Sequence, residues 1–220
     1  MRKNGGMVLM MRHADVYDNP GTTRRLYGNL DGFWLSQLGV RQAMDAGKFL
    51  RKLCRLDVVI HSPLERTEQT ARIVIDHNLG EPKRFAGSAL LDIIVPPWQG
   101  KVSRSRWTKH RKSFWAQQMT GALPGLEHPE KTQRRVVECI ERAIQRYPGR
   151  NLLFVTHGDP MCFLFEYLRG ESLEPLVSYP LGVNKATVFM ACFEPGIEPD
   201  EAVRKLFEPG EYSTVYPRPK

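Results

Sequence analysis

Two histidines and two arginines stand where apolar runs of this chain give way to polar loops. Arg12 and His13 follow the run Met7–Met11, Arg66 comes shortly after Val58–His61, and His157 closes Leu152–Thr156 with Gly158 behind it. An imidazole can serve as a base or attack as a nucleophile. A guanidinium holds an anion in a fork of donors. One Arg-His pair carries little information. The joint placement of all four, each past a strand or at a helix start, fits a single hole of phosphate size.

The elements that must position them read as alternating strands and helices. Met7–Met11 and Leu152–Val155 have the length and composition of strands buried on both faces. Such strands deliver their last residues to the carboxyl edge of a sheet, where open α/β folds bind ligands. Ser36 is a suitable N-cap for a helix with Leu38, Ala43, Ala46, Phe49, Leu50 and Leu53 at near-helical spacing. Leu56–His61 reads as the next parallel strand, and Ser62-Pro63 as the start of a helix with Arg66 in its first turn. A third amphipathic helix spans Pro129 to Tyr147, and Asp159-Pro160 opens a fourth. Lys185–Phe193 reads as a further strand, with Val203–Phe207 as its hairpin partner. Right-handed crossovers and a doubly wound sheet follow from this order.

The ordered motifs resemble the histidine phosphatase superfamily, which includes the cofactor-dependent phosphoglycerate mutases, from about Val8 to about Asn184. The resemblance implies an α/β fold, a three-layer α/β/α sandwich with a mostly parallel central sheet of phosphoglycerate mutase type. Residues 1–220 would form one such domain, with a lid insert around 96–128 and a loose tail at 211–220. It also implies roles. His13 would be the nucleophile, Arg12 and Arg66 would bind the phosphoryl oxygens, and His157 with Gly158 would add donors. Asn19, Arg25-Leu-Tyr-Gly28, Asp31, Leu35-Ser36 and Asn184 match further family positions, which adds Asn19 and Arg25 as substrate-binding residues.

Two departures from the family pattern stand out. Ala14 replaces the usual Gly after the histidine, and Asp92, six residues before Trp98, stands where relatives carry a glutamate general acid. The apolar run Ile93–Val95 would desolvate Asp92 and keep it protonated near neutrality. Of the Gly-Glu-Ser found in many relatives, only Glu127 matches within Glu127-His128-Pro129. His61, His77, His110 and His128 read as surface or packing residues.

The implied function is a metal-independent phosphomonoester hydrolase acting through a phosphohistidine on a small phosphorylated metabolite. A phosphoglycerate mutase-type isomerase and a weakly active phospho-ligand-binding regulatory protein are the alternatives. The net charge of +8 favours an anionic partner. Six basic residues and no acidic ones lie within 101–112, read as a solvated helix face over the pocket. Sparse aromatics there and the lack of a binding motif argue against nucleic acid. No His, Asp and Glu cluster at ligand spacing appears, so neither metal nor cofactor is expected. Cys54, Cys139, Cys162 and Cys192 lack C-x-x-C spacing and read as buried thiols in a reducing cytoplasm. No apolar run is long enough for a bilayer and no signal peptide is apparent, which points to a cytoplasmic protein without membrane contact. A homodimer stays compatible with these features.

Overall fold

The computed structural model describes residues 5–17, 25–173 and 183–210, apart from the side chains of Arg104, Thr108 and Arg111. Among the described residues, six strands form one mixed sheet: β1 (Val8–Arg12), β2 (Val58–His61), β3 (Lys83–Ala86), β4 (Leu152–Thr156), β5 (Val188–Ala191) and β6 (Val203–Phe207). Their order is β3-β2-β4-β1-β5-β6. The first four are mutually parallel, and β5 and β6 add antiparallel at the β1 edge.

The apolar runs alternate between two helical layers, as the period of a strand requires. Leu9, Met11, Val59, Leu153 and Val155 pack with α1 (Gln37–Leu53) and α2 (Glu65–Asp76) through Ala43, Ala46, Leu50, Ala71 and Val74. Val8, Met10, Val58, Ile60, Leu152 and Phe154 point the other way. There they meet Val136 and Ile140 of α5 (Pro129–Arg146) and Phe163 and Leu164 of α6 (Gly158–Arg169). Each fully buried Leu, Ile or Phe in these layers contributes about 1.5–3 kcal/mol. The result is the expected three-layer sandwich with a mostly parallel sheet.

Several boundaries differ from the sequence reading. The second helix begins at Glu65 with Leu64 as N-cap, so exposed Pro63 precedes the helix rather than opening it. The strand expected over Lys185–Phe193 shrinks to β5, because Asn184–Thr187 form a turn. Strand β3 was not foreseen: all four of its residues are exposed on the sheet edge and show no apolar run. A short helix, α7 (Pro199–Ala202), also precedes β6.

The segment around 96–128 contains α3 (Arg104–Lys109) and α4 (Arg111–Thr120), with His110 between them. Its apolar side is anchored: Trp98, Trp107 and Phe114 have ring centroids 4.9–5.5 Å apart. Lys101, Arg106, Lys109 and Lys112 are exposed, as a solvated basic face would be. The expected tail, 211–220, lies outside the described residues. Cys162 is buried, but Cys54, Cys139 and Cys192 are only half-buried, since they sit where element faces meet solvent; none of the four forms a disulfide. Among the described residues, no helix is long and apolar enough to cross a membrane.

Candidate active site

Three parallel strands end side by side. In register, Arg12 pairs with Thr156 and His61 with Val155. The ladder continues one residue further, with His13 N donating to Thr156 O (2.9 Å) and Ser62 N to Val155 O (3.0 Å). Residues 12–13, 62 and 157 therefore emerge together at one sheet edge. Their ring centroids place His13 and His157 5.2 Å apart, edge on.

His13 is buried and its tautomer is set by its neighbour. Nδ1 lies 2.8 Å from the carbonyl of Ala14, which can only accept, so the ring proton sits on Nδ1. The lone pair is then on Nε2. Burial holds the imidazole well below its ordinary pKa, helped by the charges of Lys185, Arg66, His157 and Arg12. Ala14 in place of glycine is accommodated: Ala14 has no positive φ, its side chain is buried, and its N–H donates to Thr70 Oγ1 at 3.1 Å.

His157 caps α6, whose first residue is Gly158, and its Nε2 lies 2.9 Å from Ser62 Oγ. Its Nδ1 is buried without a hydrogen-bond partner. Burial, then Arg66, Lys185, Arg12 and Arg135, lowers its pKa well below the ordinary value. Arg66 is fully buried; its Nη1 and Nη2 donate to the carbonyls of Leu30 and Gly28, and its Nε has no partner. An unpaired buried donor costs about 1–3 kcal/mol. Arg66 Nε is such a donor, and it marks a place where an anionic oxygen would be welcome. Gly28 can offer its carbonyl because it takes φ +47; a Cβ there would also meet Gln99 Oε1 at 2.7 Å.

Asp92 is held to the same cluster through its backbone. Arg135 Nη2 and Asn29 Nδ2 donate to its carbonyl at 2.9 and 3.0 Å. Desolvation and then the nearby charge of Asp159 raise its carboxyl to about 7, against the opposing pull of Arg66, the Ile93 N–H and Arg12. Glu127, the other carboxylate of this region, is engaged by Arg135 through Nε and Nη2, both at 2.9 Å. Its desolvation is outweighed by Arg135 and by the N–H of Ile94, so its pKa falls. Glu127 thus anchors the Asp92 loop.

The structure brings Arg12, His13, Arg66, Asp92, His157 and Gly158 to one edge. Arg12 is half-buried and donates from Nη1 to the carbonyl of Val183 at 2.8 Å. Arg25 is exposed and its described contacts lead elsewhere: Nη1 donates to Gly100 O (2.8 Å) and its backbone bridges Ser103, tying this loop to the base of the lid. Asn19 lies outside the described residues. Tyr27 and Lys185 were not singled out from sequence, and Ser62 was read only as a helix start although its Oγ lies against His157. Tyr27 lies within the Arg25–Gly28 motif, under the guanidinium of Arg66 at 4.9 Å. Lys185 Nζ lies 3.2 Å from His13 Nε2. Among the described residues, no group of three or more His, Cys, Asp or Glu is arranged to hold a metal ion.

Residues 8–196 match the family model of the histidine phosphatase superfamily (branch 1). A 2,3-bisphosphoglycerate-dependent phosphoglycerate mutase of Methylobacterium sp. (strain 4-46) is 26% identical over 179 residues, covering 78% of this chain and 86% of the relative. Phosphoserine phosphatase 1 of Hydrogenobacter thermophilus (strain DSM 6534 / IAM 12695 / TK-6) is 27% identical over 176 residues, covering 78% and 80%. Among solved structures, Bacillus stearothermophilus YhfR superposes with a TM-score of 0.70 at 22% identity, covering 93% of this chain and 96% of that one. That last likeness speaks to the fold.

Proposed function

Because the chain belongs to branch 1 of the histidine phosphatase superfamily, we propose that it is a phosphomonoester hydrolase that works through a phosphohistidine at His13, without metal, on a small phosphorylated metabolite. The observation that carries this reading is the tautomer of His13: Nδ1 is committed to the Ala14 carbonyl, and Nε2 faces a cluster of cations with its lone pair.

The steps follow from the residues. The ester's phosphoryl oxygens enter between Arg12, Arg66 and the donors at His157 and the start of α6. With Ser62 Oγ–H donating to His157 Nε2, His157 Nδ1–H points a donor at them. His13 Nε2 forms the N–P bond while the ester P–O bond breaks. Asp92, held protonated, gives its proton to the departing oxygen. Water then attacks phosphorus and loses a proton to the Asp92 carboxylate. The N–P bond breaks, its electron pair returns to Nε2, and inorganic phosphate leaves. Arginines supply the charge neutralisation that a metal supplies in other phosphoryl-transfer sites.

The mutase relative favours a second reading, since return of the phosphoryl group to the same substrate would use the same first step. The test is hydrolysis of p-nitrophenyl phosphate in EDTA, followed by a panel that includes 3-phosphoglycerate and phosphoserine. Release of inorganic phosphate at an EDTA-independent rate is expected. Activity that disappears on chelation and returns with Mg²⁺ contradicts the metal-free mechanism, and isomerisation without phosphate release favours the mutase.

A further inference from the structure

Lys185 occupies a position that the mechanism above does not use. Its Nζ donates to the hydroxyl of Tyr27 at 3.0 Å and lies 3.2 Å from His13 Nε2. Since the ring proton of His13 is on Nδ1, the ammonium donates to the very lone pair that attack requires. The ammonium also lies 5.7 Å from the centroid of the Tyr27 ring, on which Arg66 stacks.

The backbone brings Lys185 there at a cost. Ala186, the next residue, has φ 57 and is the only non-glycine with positive φ among the described residues. A residue with a Cβ adopts that conformation only when its surroundings enforce it. The enforcing contacts are visible. Ala186 N–H is shared between the carbonyls of Arg12 (3.2 Å) and His13 (3.4 Å), and Thr187 N–H closes the turn onto Asn184 O at 3.3 Å. Arg12 grips the same segment through Val183 O, and Ala186 is fully buried. The turn is thus docked directly on the residues that would do the chemistry.

We propose that Lys185 is a positioning and anion-binding residue of this site, holding the His13 Nε2 lone pair in the ligand-free protein and passing its ammonium to a phosphoryl oxygen when a phosphomonoester enters. This rests on His13 being the nucleophile. Lys185 keeps its protons throughout; it exchanges one hydrogen-bond acceptor for another while the N–P bond forms. Tyr27 Oη remains a fixed acceptor that steadies the ammonium in both states. With Arg12 and Arg66, Lys185 supplies a third positive charge, which suits a dianionic monoester better than a singly charged diester.

The test compares wild type with Lys185→Met, which keeps the length of the stem, and Lys185→Arg, which keeps the charge. Inorganic phosphate is the binding probe, measured by calorimetry, and p-nitrophenyl phosphate is the substrate. Loss of a charged hydrogen bond should weaken phosphate binding by Lys185→Met about tenfold to a hundredfold. The acidic limb of its kcat/KM profile should move to higher pH, because removing a cation beside His13 lets the imidazole gain its proton sooner. Lys185→Arg should restore much of both.

Unchanged phosphate affinity and an unmoved acidic limb in Lys185→Met, with only a lower melting temperature, would overturn the proposal. Absence of phosphate binding by wild type would overturn it too. Wild type that binds phosphate but does not hydrolyse the ester instead removes the phosphatase reading, and the calorimetric arm still decides the anion-binding role of Lys185.

Discussion

Arg135 grips Glu127 with two of its nitrogens at 2.9 Å and gives its remaining donors to the carbonyls of Ala89, Leu91 and Asp92. Glu127 in turn accepts from the N–H of Ile94 at 3.0 Å and returns its own N–H to Ile94 O at 2.8 Å. The pair therefore sets the path of the 89–94 loop, on which Asp92 rides. The loop so fixed holds the Asp92 carboxyl within the electrostatic reach of Arg66 and Arg12.

Glu127→Gln should lower stability and activity together. The Glu127 side chain is 2% exposed, and removing one partner of such a pair leaves Arg135 charged without its counter-ion. The cost is about 3–5 kcal/mol at full burial and less here, because Arg135 is 19% exposed. The sign in pH follows from the depressed pKa of Glu127: folding favours the carboxylate. Its contribution is complete above the ordinary glutamate value of about 4.3 and is lost as pH falls through the lower folded value. Chemical denaturation of wild type and Glu127→Gln at pH 7 and in acid checks this. A stability gap that does not narrow in acid would count against the ion pair as its source.

Asp92→Asn should slow alkyl phosphates much more than p-nitrophenyl phosphate. An alkoxide needs a proton to depart, whereas nitrophenolate leaves readily without one. The alkyl-ester loss should be on the order of 10²–10⁴. Since the Asp92 carboxyl is raised to about 7 and must be protonated to act, wild-type turnover of alkyl esters should decline above that pH. The acidic limb should lie well below the ordinary histidine value, because His13 is hard to protonate. Equal losses on both ester types would assign Asp92 to loop structure alone.

How much of this was legible in the sequence depended on distance along the chain. Arg12, His13 and His157 could be found because each terminates an apolar run, and runs continuous enough to be buried on both faces foretold a helical layer on each side of the sheet. Arg66 was legible as a first-turn residue of α2, though not its grip on the carbonyls of Gly28 and Leu30. Strand β3 was invisible because an exposed edge strand needs no apolar pattern. Lys185 gave no local signal either. Its place beside His13 arises from the antiparallel pairing of β5 with β1 and from the buried turn at Ala186, both set by contacts more than 170 residues apart. Glu127 and Arg135 are likewise joined across the start of α5, a spacing that no helical pairing rule covers.

His13 Nε2 should become bonded to phosphorus during turnover, and rapid-quench labelling with a phosphoryl-labelled ester followed by peptide mapping reads that bond. Wild type should show an alkali-stable, acid-labile phosphoryl group on the peptide containing His13, forming no more slowly than product is released. His13→Ala should retain the fold, lose the label and lose turnover. Turnover by His13→Ala within tenfold of wild type, or label found on another residue, would contradict the assignment.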